Sequence, residues 1–223
     1  MRCARAALLA VALAAPGALA TGEAVPIDRA VVRYFARETG GVASPRFVTA
    51  RELAFEARLR ALSAGEPAVR GGAPRERHVR AALELHVTET VLASLPVAPA
   101  PTEPEIERRT TEAHAALAER VGGESALVAA AQAEGLGEAE VLRLARRRAR
   151  ASLYLDRMVA PLLEPSEAEL RLVHRTERTP YAGQAFEAVR PALARWLVST
   201  RVAEAIDAYH EALRARVTVT VLR

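Results

Sequence analysis

The sequence predicts a mainly α-helical protein with a small β element, and the C-terminal stretch carries the clearest signal. Apolar residues recur at helical spacing over 184–213, which is typical of one long amphipathic helix. The stripe they form consists of Phe186, Val189, Leu193, Trp196, Thr200, Ala203, Ile206 and Leu213. Valine and threonine then alternate over 217–222, which is typical of a strand. Because a lone strand leaves its backbone groups unpaired, we expect partner strands elsewhere in the chain.

The partner strands are predicted near the start of the chain. A β-branched and aromatic run over 27–35 favours one strand, and a second short strand is favoured at 46–48, beyond a glycine pair. We therefore predict that the strand at 217–222 pairs with the one near 30–35. Pro191 lies inside the C-terminal helical pattern, so that helix is expected to kink there or to begin close to it.

Six or seven helices are predicted between these strands. Three start signals of the Ser/Thr-x-x-Glu type begin at Thr49, Thr102 and Ser166, where a hydroxyl and a carboxylate can satisfy backbone donors reciprocally. Glycine and proline breaks supply the ends. The predicted helices cover about 50–64, 75–95, 103–121, 124–134, 138–159, 167–178 and the long stretch from 184.

The first twenty residues have the pattern of a secretory signal peptide. Arg2 and Arg5 precede an apolar run, and Ala18-Leu19-Ala20 matches a small-residue cleavage site. A short buried helix or an uncleaved anchor is the alternative. The pattern predicts a periplasmic protein, and no later apolar run is long enough to span a membrane. Cys3 is the only cysteine, so the mature chain would contain no thiol.

Length and charge limit the functional classes. A chain of 223 residues can bury a core in one domain or a small pair. Its formal net charge is +4, and every basic side chain other than histidine is an arginine. Two of these arginines lie in the predicted signal peptide, so the charge gives no support for nucleic-acid binding.

A search for catalytic and ligand-binding patterns gives nothing positive. The five histidines are far apart and lack metal-ligand spacing, so we interpret each as a half-exposed helix residue. No nucleophile elbow, phosphate-binding loop or dinucleotide fingerprint occurs. The sequence therefore predicts no catalytic residue, no metal site and no cofactor.

One dense charge feature lies on the predicted helix at 138–159. Arg143, Arg146, Arg147 and Arg150 form a basic stripe at helical spacing. A solvated helix face is one interpretation. The other is electrostatic attraction of acidic segments in a partner.

Both ends of the chain carry the motifs of a known family. Ile27-Asp28-Arg29 precedes the β-branched run, Val48-Thr49 and Arg51-Glu52-Leu53 follow it, Gly135-Leu136-Gly137-Glu138 precedes a long helix, and Phe186-Glu187-Ala188-Val189-Arg190-Pro191 opens the last one. This arrangement resembles SurA-type periplasmic chaperones, whose peptide-binding module is similar to the client-binding domain of trigger factor. The resemblance implies one chaperone domain over 21–223. Its N-terminal part covers 25–163, a connector 164–183, and a closing helix and strand 184–222.

The chain departs from that family at the connector. SurA-type chaperones usually carry parvulin prolyl isomerase domains there, and 164–183 is too short for one, so no isomerase site is carried over. The loop between the first two strands is also longer than usual.

The resulting hypothesis is a non-enzymatic holdase for unfolded or extended polypeptide clients, with no nucleic-acid partner. A scaffold for one folded envelope partner is the alternative, and a degenerate isomerase relative is a third. The candidate client-binding residues are Tyr154, Met158, Leu162, Leu163 and Tyr181, for which ordinary core packing is the alternative.

Overall fold

A computed structural model describes residues 28–66, 72, 74–176 and 178–222. The predicted signal peptide at 1–20 lies outside these residues. Within them, no helix combines the length and apolar content that crossing a bilayer would require.

The described residues form seven α-helices and three strands, which confirms the predicted fold class. The strands are β1 (Ala30–Phe35), β2 (Arg46–Thr49) and β3 (Thr218–Val221). The helices are α1 (Ala50–Ser63), α2 (Glu76–Ser94), α3 (Glu103–Val121), α4 (Glu124–Ala133), α5 (Glu138–Tyr154), α6 (Glu167–Thr176) and α7 (Phe186–Arg216).

The strands form one antiparallel sheet in the order β2-β1-β3. Val32 of β1 lies opposite Val221 of β3, and Tyr34 lies opposite Val219. The predicted pairing of the two chain ends is therefore confirmed. The longer β1–β2 connection contains two short 3-10 turns, Arg37–Thr39 and Gly41–Ala43.

Three apolar clusters make up the core. The largest joins α1, α3, α4 and α5 and includes Phe55, Leu117, Leu127 and Leu144. A second cluster lies between the sheet, α1, α2 and the end of α7, and it includes Val32, Tyr34, Val91 and Leu213. The third joins α6 to the first half of α7 through Leu170, Val173, Leu193 and Leu197. The long helix α7 therefore connects two separate clusters.

The three helices begin where predicted, at Ala50, Glu103 and Glu167, but the predicted caps are only partly present. The Thr49 hydroxyl accepts from the Glu52 amide at 3.4 Å, and the Ser166 hydroxyl accepts from the Glu169 amide at 3.3 Å. The cap predicted at Thr102 is wrong, because that side chain makes no capping hydrogen bond. Glu105, the expected partner residue, instead accepts from Arg157 at 2.5 Å.

Helix α5 changes geometry where the sequence predicted that it would continue to residue 159. Leu155–Val159 forms a π-helical turn and Ala160–Leu163 a 3-10 turn. Pro161 lacks an amide donor, so the regular ladder cannot continue past it. Pro191 is tolerated inside α7, which begins at Phe186 and runs on through the proline.

Candidate functional site

The middle of α7 is only partly covered by neighbouring elements. Leu193 and Leu197 are buried against α6, and Leu213 is buried against the sheet. Between Leu197 and Leu213 no side chain of α7 is fully buried. The apolar stripe was correctly placed, but only its two ends are packed into a core.

An apolar cleft lies along this partly covered stretch. A cavity of about 130 Å³ separates the middle of α7 from α2 and the end of α5. Its walls include Leu92, Leu95, Tyr154, Leu155, Ile206 and Tyr209. A second groove of about 400 Å³ runs on between α2, α3 and α5 and shares Leu92, Leu155 and Ile206 with the first. We call these two connected spaces the α7 cleft.

The predicted client-binding residues do not form one surface. Tyr154 lines the α7 cleft. Met158 is half-buried, and its sulfur accepts from the Ala98 amide at 3.5 Å. Leu162 is 81% exposed, while the Leu163 carbonyl accepts from Arg201 of α7 at 3.1 Å. Tyr181 packs against the α6–α7 cluster.

Most of the residues that line the cleft are not marked by any sequence pattern. Leu92 and Leu95 end the apolar face of α2, and Tyr209 lies beside the stripe of α7. Ile206 was singled out as a member of that stripe, and Tyr154 as a candidate client-binding residue. Helical spacing identifies an apolar face, but it gives no information on whether another element covers that face.

A buried ion network lies behind the cleft, between α1, α2 and α5. Arg147 donates to the carboxylates of Glu56 at 2.6 Å, Glu52 at 3.2 Å and Glu89 at 3.3 Å. Arg148 donates to Glu89 at 2.8 Å. Glu89 and Arg148 also line the cleft, so the network forms part of its wall.

His86 completes the network from the α2 side. Its Nδ1 lies 2.8 Å from Glu56 Oε1, and both residues are buried. The interpretation of every histidine as half-exposed is therefore wrong for His86, and also for His78, which is buried beside Glu66 at 3.0 Å. Both histidines come from α2: His86 faces α1, and His78 faces the loop after α1.

Two carboxyl groups of the network, those of Glu56 and Glu89, have opposite pKa shifts. Burial acts to raise the pKa of Glu56, but Arg147 and the hydrogen bond with His86 lower it to about 2. Burial raises the pKa of Glu89 despite the opposing effects of Arg148 and Arg147. For Arg147, burial opposes the charge, yet Glu56 and Glu89 raise its pKa above the usual value. The Glu56–Arg147 pair is therefore the firmly ionised centre of the network.

Three residues of the network have side chains of the metal-ligating type. The ligand atoms of Glu52, Glu56 and His86 lie within 4.8 Å of one another. Sequence spacing gave no sign of this, because Glu56 and His86 are 30 positions apart on different helices. The Arg147 guanidinium already compensates both carboxylates, so a divalent cation would have to compete with it. The arrangement fits a structural ion network better than a metal site.

The basic stripe on α5 is not a uniformly solvated face. Arg147 turns inward to the network, with only 13% of its side chain exposed. Arg146 pairs with Glu103 at 2.6 Å, and Arg150 donates to the Ala93 carbonyl at 3.3 Å. Arg143 is mostly exposed and has only Glu140 at 3.6 Å. The solvated-face interpretation is therefore wrong for Arg147, and attraction of acidic segments by the other three stays a prediction.

Comparison of the chain with protein-family models, with curated proteins and with solved structures finds no match.

Proposed function

We propose that this chain is a non-catalytic, holdase-type chaperone that binds unfolded or extended segments of envelope and outer-membrane proteins in the periplasm. The observation that carries the proposal is the partly covered middle of α7. Ile206 borders an open space lined by apolar side chains of α2 and α5, and Tyr209 lines the same space while also packing against the edge of the second core cluster.

The physical requirements of a holdase match this arrangement. Unfolded chains present apolar side chains in variable order, so the binding surface needs apolar area with room for different shapes. The α7 cleft provides space of about 400 Å³ in its larger part, with Arg109, Glu112 and Arg120 among its lining residues. Charged side chains beside an apolar surface favour solubility of the empty protein.

Two features of the sequence support the same proposal. The motifs at both chain ends resemble those of SurA-type chaperones, and the first twenty residues have the pattern of a signal peptide. Holding an unfolded chain requires neither a cofactor nor a catalytic group, which agrees with the absence of a catalytic pattern in the sequence.

Light scattering tests the proposal directly. A urea-unfolded β-barrel protein is diluted into buffer with or without the mature chain, beginning at residue 21. We expect suppression of aggregation that reaches its maximum near stoichiometric amounts and needs no nucleotide. Ile206→Ser in the cleft should weaken the suppression, whereas Leu172→Ser, at a 52% exposed position on α6, should not.

No suppression at several-fold molar excess would contradict the holdase proposal. Capture of one stoichiometric folded protein from an envelope extract would then favour the scaffold alternative. Capture of many unfolded outer-membrane chains would support the holdase.

A further inference from the structure

The free edge of the sheet has the backbone geometry of a strand acceptor. β3 lies at one end of the sheet, with β1 on one side and no strand of the described residues on the other. The Leu222 amide donates to the Val31 carbonyl at 2.8 Å. In an antiparallel ladder the residues alternate in direction. The backbone groups of Thr218, Thr220 and Leu222 therefore point to β1, and those of Val219 and Val221 point outward.

The apolar face of the sheet extends to this edge without cover. Val219 and Val221 lie opposite Tyr34 and Val32, so all four side chains are on the same face. Tyr34 and Val32 are 1% and 3% exposed beneath the helices, whereas Val219 and Val221 are 45% and 70% exposed. A groove of about 430 Å³ adjoins the edge, with Leu83, Val87, Leu213, Val217 and Val219 in its lining.

The two edge strands of the sheet, β2 and β3, differ in how well they are protected against pairing with a further strand. Charged residues and proline commonly blunt an edge strand against further pairing. β2 begins at Arg46, directly after Pro45, whereas β3 consists of Thr218-Val219-Thr220-Val221 and has neither device. An added strand is therefore better accommodated at β3.

The opposite face of the sheet carries positive charge without local compensation. Arg33 lies opposite Thr220 on that face, and its guanidinium is over the Phe35 ring at 5.3 Å. Arg29 and Arg37 are exposed nearby in the chain, and among the described residues neither they nor Arg33 pairs with a carboxylate. An acidic side chain on a strand beside β3 would lie within reach of Arg33, because two strand spacings are about 10 Å.

We propose that the outer edge of β3 binds an extended client segment as a fourth strand, and that the preferred segment alternates apolar and acidic residues. The apolar side chains extend the Val219–Val221 face toward the groove, and the acidic ones face Arg33. A second copy of β3 lacks acidic residues, so it fits this edge less well. The inference rests on the proposed holdase function and specifies the class of segment that the protein holds by strand addition.

Capped seven-residue peptides test the inference at neutral pH. We expect a fluorescent peptide that alternates glutamate and valine to bind at least about ten-fold more tightly than one that alternates lysine and valine. The glutamate is attracted to Arg33, whereas the lysine is repelled by it. Arg33→Gln should reduce binding of the glutamate peptide about five-fold, the size of a single charge pair. Arg175→Gln, at an exposed position of α6 outside the sheet, is the matched control and should not change binding.

Backbone methylation identifies the binding mode. N-methyl groups on one alternate set of peptide residues should abolish binding, and the same groups on the other set should be tolerated, because only one edge of the peptide faces β3. Val221→Pro should likewise remove binding while the Thr220 ladder with β1 is retained. Amide shifts of Val219 and Val221 on titration, measured by NMR, would locate the peptide.

Equal effects of the two methylation sets would overturn the inference, and so would equal binding of the glutamate and lysine peptides. Self-association through β3 that excludes the peptide would show that a second copy occupies the edge, which also overturns it. Aggregation suppression by a protein that binds none of these peptides would reject strand addition and leave the holdase proposal intact.

Discussion

Arg147 donates a hydrogen bond to Glu56 at 2.6 Å, although 91 positions separate the two residues in the sequence. Glu56 is 1% exposed, and Arg147 also contacts Glu52 and Glu89. This one guanidinium therefore connects α5 to both α1 and α2. The network fixes α1, α2 and α5 relative to one another, and α2 and α5 line the α7 cleft.

Removal of Arg147 should destabilise the whole protein. Arg147→Leu leaves the buried Glu56 carboxylate without its main counter-charge, a loss that typically costs about 3–5 kcal/mol. Arg143→Leu on the same helix should change the free energy of unfolding by about 0.5 kcal/mol or less, since its only ion pair is exposed. Urea unfolding of both variants measures the difference, and equal stability of the two would contradict the structural role of the network.

The low pKa of Glu56 predicts acid sensitivity. The group titrates near 4.5 when unperturbed and at about 2 in the folded protein. Its contribution to stability is therefore present above pH 4.5 and is lost as the pH falls from 4.5 to 2. The shift corresponds to roughly 3 kcal/mol. Glu89 acts in the opposite direction, because its raised pKa removes stability as the pH rises above 4.5.

Thermal unfolding between pH 2 and pH 7 tests this assignment. Glu56→Gln should be less stable than the parent at pH 7 and should show a flatter acid profile. Glu107→Gln, at an exposed position of α3, should retain the parent profile. Parallel acid profiles for the parent and Glu56→Gln would show that another group controls acid unfolding.

The sheet could be predicted from the sequence, whereas the ion network could not. Val217 to Leu222 and the run before Phe35 are both β-branched, and few other segments could pair with either, so their association followed from the need to satisfy strand edges. Glu56, His86 and Arg147 lie on three helices, where isolated charged residues usually face water. Only the packing of α1, α2 and α5 brings them together, and no local pattern encodes that packing.

The α7 cleft could be predicted from the sequence only in part. The stripe on α7 correctly included Leu193, Ile206 and Leu213, but spacing alone treats them as equivalent. In the structure Leu193 is fully buried and Ile206 is not, because α6 covers the first half of α7, whereas α2 and the end of α5 cover the middle only partly. The candidate Tyr154 belongs to the cleft, whereas Tyr181 belongs to a core cluster.

Deletion of residues 217–223 should lower the stability of the whole fold. The deletion removes the ladder between β1 and β3 and leaves the backbone groups of Val31, Arg33 and Phe35 without their partners. Each lost hydrogen bond contributes about 0.5–1.5 kcal/mol. We expect one cooperative transition at a lower temperature in calorimetry, and unchanged thermal unfolding would contradict the role of β3 in the fold.

The short connector at 164–183 leaves no room for a prolyl isomerase domain, so we expect no prolyl isomerase activity. Residues 164–183 form little more than α6, which packs against α7 rather than forming a separate domain. Catalytic amounts of the protein should leave the rate of a proline-limited refolding reaction unchanged. A known isomerase serves as the positive control, and substoichiometric acceleration would support the degenerate-isomerase hypothesis instead.

Substitutions of Leu193 and Ile206, both on α7, can distinguish an effect on folding from an effect on client binding. Leu193 is 0% exposed in the α6–α7 cluster, so Leu193→Ala should cost about 2–5 kcal/mol. Ile206 is partly exposed and borders open space, so Ile206→Ala should cost less, about 1 kcal/mol, because little packing is lost.

Urea unfolding gives both values, and light scattering of a diluted β-barrel protein gives the holding capacity of each variant under conditions where both are folded. If the cleft holds clients, Ile206→Ala should reduce holding more than Leu193→Ala does, although it destabilises the fold less. A reduction of holding that follows stability alone would remove the cleft from the binding surface.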